Sequence, residues 1–112
     1  MTVNINRLAN ALLTTSVDAV YTVPTGKTTR IDAIALTNTD TATAVSASVY
    51  LVASGGTASE TNQVMSAQQI GPGQTVLVRG AIGQVLKQGG TIQVSATAAN
   101  KINIYASGIE VA

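Results

Sequence analysis

Apolar and polar side chains alternate along this chain with a period of two, and that regularity decides most of what it can fold into. Val45, Ala47, Val49, Leu51 and Ala53 are interleaved with Ser46, Ser48 and Tyr50. Ile92, Val94 and Ala96 alternate with Gln93 and Ser95, Ile102 and Ile104 with Asn103 and Tyr105, and Val76 and Val78 flank Leu77. Successive side chains of a strand point to opposite faces, so such a stretch buries one face and leaves the other in water. Thr and Val dominate these runs, and both are stiff at χ1 and suit a pleated surface. The chain is all-β.

Turn residues separate the runs at regular intervals. Pro24-Thr25-Gly26, Asn38-Thr39-Asp40, Gly55-Gly56, Gly71-Pro72-Gly73 and Gly89-Gly90 each close one run before the next begins. Pro presets a turn φ, Gly supplies positive φ, and Asn and Asp bond nearby backbone. This spacing predicts about eight strands, at 5–14, 19–23, 28–38, 44–53, 62–70, 74–79, 91–97 and 102–111. Ala99-Asn100-Lys101 reads as a tight hairpin joining the last two strands, and Gly108 as a bulge in the final one. Short, evenly spaced strands predict a single-domain antiparallel β-sandwich. A jelly roll is the preferred topology because eight strands is its usual number; an immunoglobulin-like sandwich is the alternative. Residues 54–63 contain no large apolar side chain and read as a mobile surface loop.

The chain divides into residues 1–18, an N-terminal arm or first strand, and residues 19–112, the sandwich. Val3, Ile5, Leu8, Leu12 and Leu13 concentrate in the first of these, interleaved with Asn4, Asn6, Arg7 and Asn10. Leu8 and Leu12 also have helical spacing, so an edge strand, a short helix and an extended arm all fit. Full burial of an aliphatic side chain of this size is worth roughly 1.5–3 kcal/mol over exposure. These five therefore either complete the domain's own core or cross onto a neighbour, and an intersubunit contact through them is the expectation.

Charge supports that expectation. Charged residues make up 10% of the chain, with six Lys and Arg against five Asp and Glu, where soluble domains average about 25%. Such a surface repels little and desolvates cheaply, as suits a protein packed against others. A homo-dimer or trimer is expected. No basic stripe marks a nucleic-acid partner, and aliphatic runs of four residues or fewer leave no membrane-spanning segment. No secretory signal is evident in residues 1–13.

Catalytic chemistry has little to work with. The chain has no His and no Cys, which removes Ser-His-Asp and Cys-His nucleophile systems and nearly all zinc sites. The carboxylates are Asp18, Asp32, Asp40, Glu60 and Glu110, and each has an ordinary turn, loop or solvent-facing strand reading. Gly26-Lys27-Thr28 resembles the end of a P-loop, but the Gly required five residues earlier is Tyr21 and a strand follows, not a helix. Asn38 and Asp40 fall short of the six to eight oxygens of a calcium site. Tyr21, Tyr50 and Tyr105 could stack on sugars, yet isolated strand tyrosines are ordinary packing. Neither an enzyme nor a cofactor or metal is expected.

Several phrases carry a resemblance. Tyr21-Thr-Val-Pro-Thr-Gly-Lys-Thr-Thr-Arg-Ile31 with Leu36-Thr-Asn38, Val49-Tyr-Leu-Val-Ala-Ser-Gly-Gly56 and Gly71-Pro-Gly-Gln-Thr75 look like segments of small β-structured virion proteins of tailed bacteriophages. Gly90-Thr-Ile-Gln-Val-Ser-Ala96 and Ile104-Tyr-Ala-Ser-Gly-Ile-Glu-Val111 continue it, over residues 19–112. The resemblance implies a virion structural protein made in the host cytoplasm. Within that class it favours a capsid decoration or cement protein that clamps neighbouring copies of the major capsid protein at the capsid surface. The alternatives are a tail, baseplate or fibre module, and a carbohydrate-binding or adhesin β-domain. A bare domain without stalk or heptads favours the first.

Overall fold

The computed structural model describes all 112 residues. It contains nine strands: β1 (Val3–Leu12), β2 (Asp18–Thr22), β3 (Thr28–Asn38), β4 (Val45–Val52), β5 (Gln63–Ile70), β6 (Thr75–Leu77), β7 (Val85–Leu86), β8 (Thr91–Ala96) and β9 (Ile102–Val111). Two antiparallel sheets face each other as a sandwich. The first runs β1-β9-β3-β6, with β7 also on β3, and the second runs β2-β8-β4-β5. Pairing is nested: β1 with β9, β2 with β8, β3 with β6 and β7, and β4 with β5. β1 and β2 lie in different sheets, whereas an immunoglobulin sandwich keeps its first two strands side by side; that alternative is set aside.

The core is aliphatic throughout. Ile31, Ile34 and Leu36 of β3 and Ile102, Ile104 and Ala106 of β9 face Val45, Ala47 and Val49 of β4 and Ile92, Val94 and Ala96 of β8. None of the tyrosines is buried, so no ring fills the centre. Each fully buried Ile or Leu contributes roughly 1.5–3 kcal/mol. Leu8 and Leu13 of the N-terminal segment belong to this same core.

Two bulges explain where the alternation breaks. Ile31 and Ile34 are both buried although three residues apart, which a regular strand cannot achieve. The register between β3 and β9 shifts between Ile31 and Ala33, leaving Asp32 as the extra residue. The register between β1 and β9 shifts in the same way between Arg7 and Ala9, leaving Leu8 extra. The β1 shift sits against Ala106–Ser107 of β9 and the β3 shift against Ser107–Gly108, so the two meet at Ser107. The expected bulge at Gly108 itself is thus corrected: the extra residues are on its two neighbours. Gly108 serves close approach instead, since a Cβ there would lie 2.3 Å from the Arg30 carbonyl oxygen and 3.0 Å from Leu8 Cδ1.

The connection after β8 also differs from expectation. Residues 97–101 do not form a hairpin, because β8 belongs to the second sheet and β9 to the first. Asn100 adopts φ +60°, a left-handed conformation that Asn tolerates, and its N–H donates to the Leu13 carbonyl at 2.9 Å. The turn thereby carries the chain across the sandwich. The strand expected at 74–79 stops at Leu77; a 3-10 turn at Arg79–Ala81 follows, and the chain returns along β3 as β7. Asn38 ends β3 as a buried hub, donating to the carbonyls of Thr43 at 2.9 Å and Ile70 at 3.0 Å and accepting from the Asp40 N–H at 2.9 Å. The loop at 54–63 is closed on itself by Asn62, whose amide donates to the Thr57 carbonyl at 2.8 Å and accepts from the Ser59 N–H at 2.9 Å.

Gly108→Ala should lower the urea midpoint by an amount at or above the roughly 1–3 kcal/mol of an overpacked core. Gly26→Ala, at φ +78° in open space, should cost only the ~1–2 kcal/mol of a left-handed alanine. Equal losses in the two variants would refute the close-approach role of Gly108.

Candidate functional site

The two outer faces of the sandwich differ in kind. Nine large apolar side chains are exposed: Met1, Val3, Ile5, Leu12, Val17, Leu77, Ile82, Val85 and Tyr105. Six of these belong to strands of the first sheet and none to strands of the second. Side chains at opposed positions of neighbouring strands stand together on one face, so the pairing places them. Val3 lies opposite Val111 and Ile5 opposite Ile109, and Val85 lies beyond Arg30 on the same row as Ile109. Tyr105 sits between Asn10 and Ala35, and Ala35 neighbours Leu77. The Arg7 guanidinium lies 6.0 Å from the Tyr105 ring centroid, at the limit of cation–π attraction.

The second sheet presents polar groups instead. Ser48 is opposite Ser95 and Tyr50 opposite Gln93, with Gln69 opposite Ser46. Exposed apolar side chains gathered on one face, here with Arg7, Asn10 and Arg30 among them, mark an interaction face. The first sheet's outer surface is the candidate site.

The expected interface residues separate. Val3, Ile5 and Leu12 are exposed on this face, with Ile5 81% accessible. Leu8 and Leu13 are buried in the protein's own core, so they cannot reach a neighbour from this conformation. Alternation alone turns Leu8 inward beside the outward Arg7; the bulge there keeps Ala9 inward as well, and the changed phase sends Leu12 out and Leu13 in. The N-terminal segment is a strand of the sandwich, neither helix nor detached arm.

One polar cluster escaped the sequence reading. Glu110, expected to face solvent, is 7% exposed and points between the sheets. Asn6 Nδ2 donates to its Oε1 at 2.5 Å, and the Tyr21 hydroxyl donates to Oε2 at 2.5 Å. The same hydroxyl is 2.7 Å from Thr29 Oγ1. The bond from Tyr21 leads in holding Glu110 below the usual carboxylate range, opposed by burial and helped by Asn6 and the charge of Lys27. Burial, then the adjacent carboxylate, pushes Tyr21 up to about 12. The signal was available: Glu110 shares the parity of Ile102, Ile104 and Ala106 on β9. No buried polar atom of this cluster lacks a partner, and it joins β1, β2, β3 and β9 at one end of the sandwich.

The other carboxylates hold local structure. Thr14 Oγ1 donates to Asp18 Oδ2 at 2.5 Å, Asp32 pairs with Arg30 at 3.2 Å, and Asp40 pairs with Lys101 at 3.7 Å. No three carboxylates come together where a metal could bind. Two open clefts exist. One, of about 500 Å³, is lined by Leu51, Ser54, Gln84, Leu86, Lys87 and Gln88 among others. The second, of about 430 Å³, lies between Val64–Gln68 and Val76–Gly80. Neither is lined by an aromatic ring or a carboxylate.

Comparison with known protein families finds no family that matches this chain, and comparison with curated proteins and with solved structures finds no match to either.

Glu110→Ala should cost about 1 kcal/mol, because it removes the part-buried acceptor of both the Asn6 amide and the Tyr21 hydroxyl. The pH dependence has two limbs. The lowered pKa of Glu110 stabilises the fold above the unfolded carboxylate value of 4.5, and this is lost as pH falls through the folded value. The raised pKa of Tyr21 stabilises below pH 10.0, and this is lost as pH rises toward about 12. Urea titrations across pH should show the acid limb flattened in Glu110→Gln; an unchanged acid limb would remove Glu110 from the account.

Proposed function

We propose that this protein is a non-enzymatic structural component of a tailed-phage virion, a decoration or cement protein that docks on the capsid surface and clamps neighbouring major capsid subunits. The observation that carries the reading is the unequal division of exposed apolar side chains, six on the first sheet and none on the second. Such a protein needs one face that buries readily against a lattice and another that stays in water. The chain's 10% charged content leaves few ions to desolvate on docking.

The nested strand pairing supports the same class. A ribbon folded at β4–β5 and rolled so that β1 meets β9 is the strand arrangement of a jelly roll, which we take as the topology. Double-sheet jelly rolls recur in viral capsid proteins and in lectins. The sugar-binding alternative has less support, because neither cleft offers a ring for a sugar to stack on.

The test is co-sedimentation with tailed-phage capsids that lack their decoration protein, beside a glycan array. Wild-type protein should co-sediment, and a Leu77→Asp, Tyr105→Asp double variant should bind at least about tenfold more weakly. A Gln93→Asp, Ser95→Asp double variant on the second sheet should bind as wild type does. Loss of binding in the second-sheet variant alone would reverse the assignment of faces. Glycan binding without capsid binding would replace the reading altogether.

A further inference from the structure

The sandwich has four sheet edges, and three of them are blunted. β2 is five residues long and irregular between Ala19 and Tyr21. β5 shifts register twice against β4 and carries Ala67 at φ +44°. The β6–β7 edge is split into pieces of three and two residues by the 3-10 turn. Short strands, bulges and breaks of this kind keep strangers from adding to a sheet. β1 carries one bulge, at Leu8, but it has ten residues, no Pro, no Lys and one charge, Arg7, and its run from Val3 to Arg7 pairs without interruption.

The register fixes which backbone groups of β1 are free. Ala112 N–H donates to the Thr2 carbonyl at 2.9 Å, and bonded and non-bonded pairs alternate along an antiparallel ladder. Asn4 and Asn6 therefore bond β9 opposite Glu110 and Gly108, while Val3, Ile5 and Arg7 turn N–H and C=O outward. Beyond the bulge the phase changes. Leu13 N–H donates to the Ile102 carbonyl at 2.8 Å, which leaves Asn10 and Leu12 facing out. A free run of three residues at alternate positions is self-complementary about its centre.

We infer that two copies of this chain associate through β1, antiparallel, about a two-fold axis at Ile5. Ile5 meets Ile5 of the second copy, and Val3 and Arg7 of each copy bond Arg7 and Val3 of the other. Three pairs exchange up to six backbone hydrogen bonds. Opposed residues share a face, so Ile5 packs on its twin, and the Arg7 stems cover Val3 while their charges stay ~13 Å apart along the strands. The Val3–Val111 and Ile5–Ile109 rows then continue across the axis, giving one sheet whose apolar rows join at its centre. This names the self-partner within the proposed assembly, and it is measured on the isolated protein, so it can fail without capsid binding failing.

Light scattering should show a dimer at micromolar to tens of micromolar protein. Ile5→Pro removes an outward N–H that no strand of this chain uses, so it should keep the β circular dichroism and raise the dimer dissociation constant at least about tenfold. Ile5→Cys, in a chain without native cysteine, should give a covalent dimer with a short bis-maleimide, and Leu12→Cys should not. A monomeric wild type at these concentrations, a folded Ile5→Pro dimer as tight as wild type, or equal crosslinking from Leu12→Cys would each overturn the inference. If Ile5→Pro fails to fold, the cysteine pair decides alone.

Discussion

The close approach of the Arg30 backbone and the Leu8 side chain at Gly108 is the constraint on which the first sheet depends. β9 gives both of its hydrogen-bonding sides away, one to β1 and one to β3. On either side of Ser107 a neighbour carries an extra residue, Leu8 against Ala106–Ser107 and Asp32 against Ser107–Gly108, so the ladder is loosened on both sides within three residues. The missing side chain at Gly108 lets the Arg30 carbonyl and Leu8 fill the space. From there the inward set follows: Leu8 from β1, Ile31 and Ile34 from β3, and Ala106 from β9. Bulges increase local twist, and twist in the sheet's centre is what lets its edge strands curl toward the second sheet.

Strand existence was legible because alternation survives along β4, β8 and β9, where Val, Ile and Ala stand on one parity without interruption. The starts and ends of β3 and β9 could be read to the residue because Asn38 and the small residues around 99–101 punctuate them. Bulges were not legible. Leu8 followed by Ala9, and Ile31 followed three residues later by Ile34, look like noise in a period of two until the partner strand shows which residue is extra. Residues 97–101 illustrate a second limit. A turn signal reports that the chain reverses, but not whether it reverses within a sheet or across the sandwich. That depends on which strands pair, a fact spread over sequence separations of nearly the whole chain.

The candidate site was half legible for a related reason. Exposed Val3, Ile5 and Leu12 and buried Leu8 and Leu13 are chemically alike; parity separates Val3 and Ile5 from Leu8, but only the bulge puts Leu12 outside and Leu13 inside. Glu110 was misread by chemistry: a carboxylate on a strand is expected outside, and its parity with Ile104 was outweighed. Tyr21 and Asn6 come to it from β2 and β1, which no local pattern announces. The cluster fixes alignment as much as it stabilises. A one-residue slip of β9 would put Ile109 inside and Glu110 outside, separating the carboxylate from both donors.

Three blunted edges and one open edge also set how far any strand-to-strand association can run. An endless ribbon needs two open edges on each molecule, one to accept a neighbour and one to offer the next. A molecule with one such edge, used symmetrically, consumes it on first contact and leaves nothing to template a third. Association of this kind is self-limiting. A weakly charged, Thr- and Val-rich chain would otherwise be a candidate for fibre growth, and here the geometry of its own sheets ends the chain reaction at the first pairing.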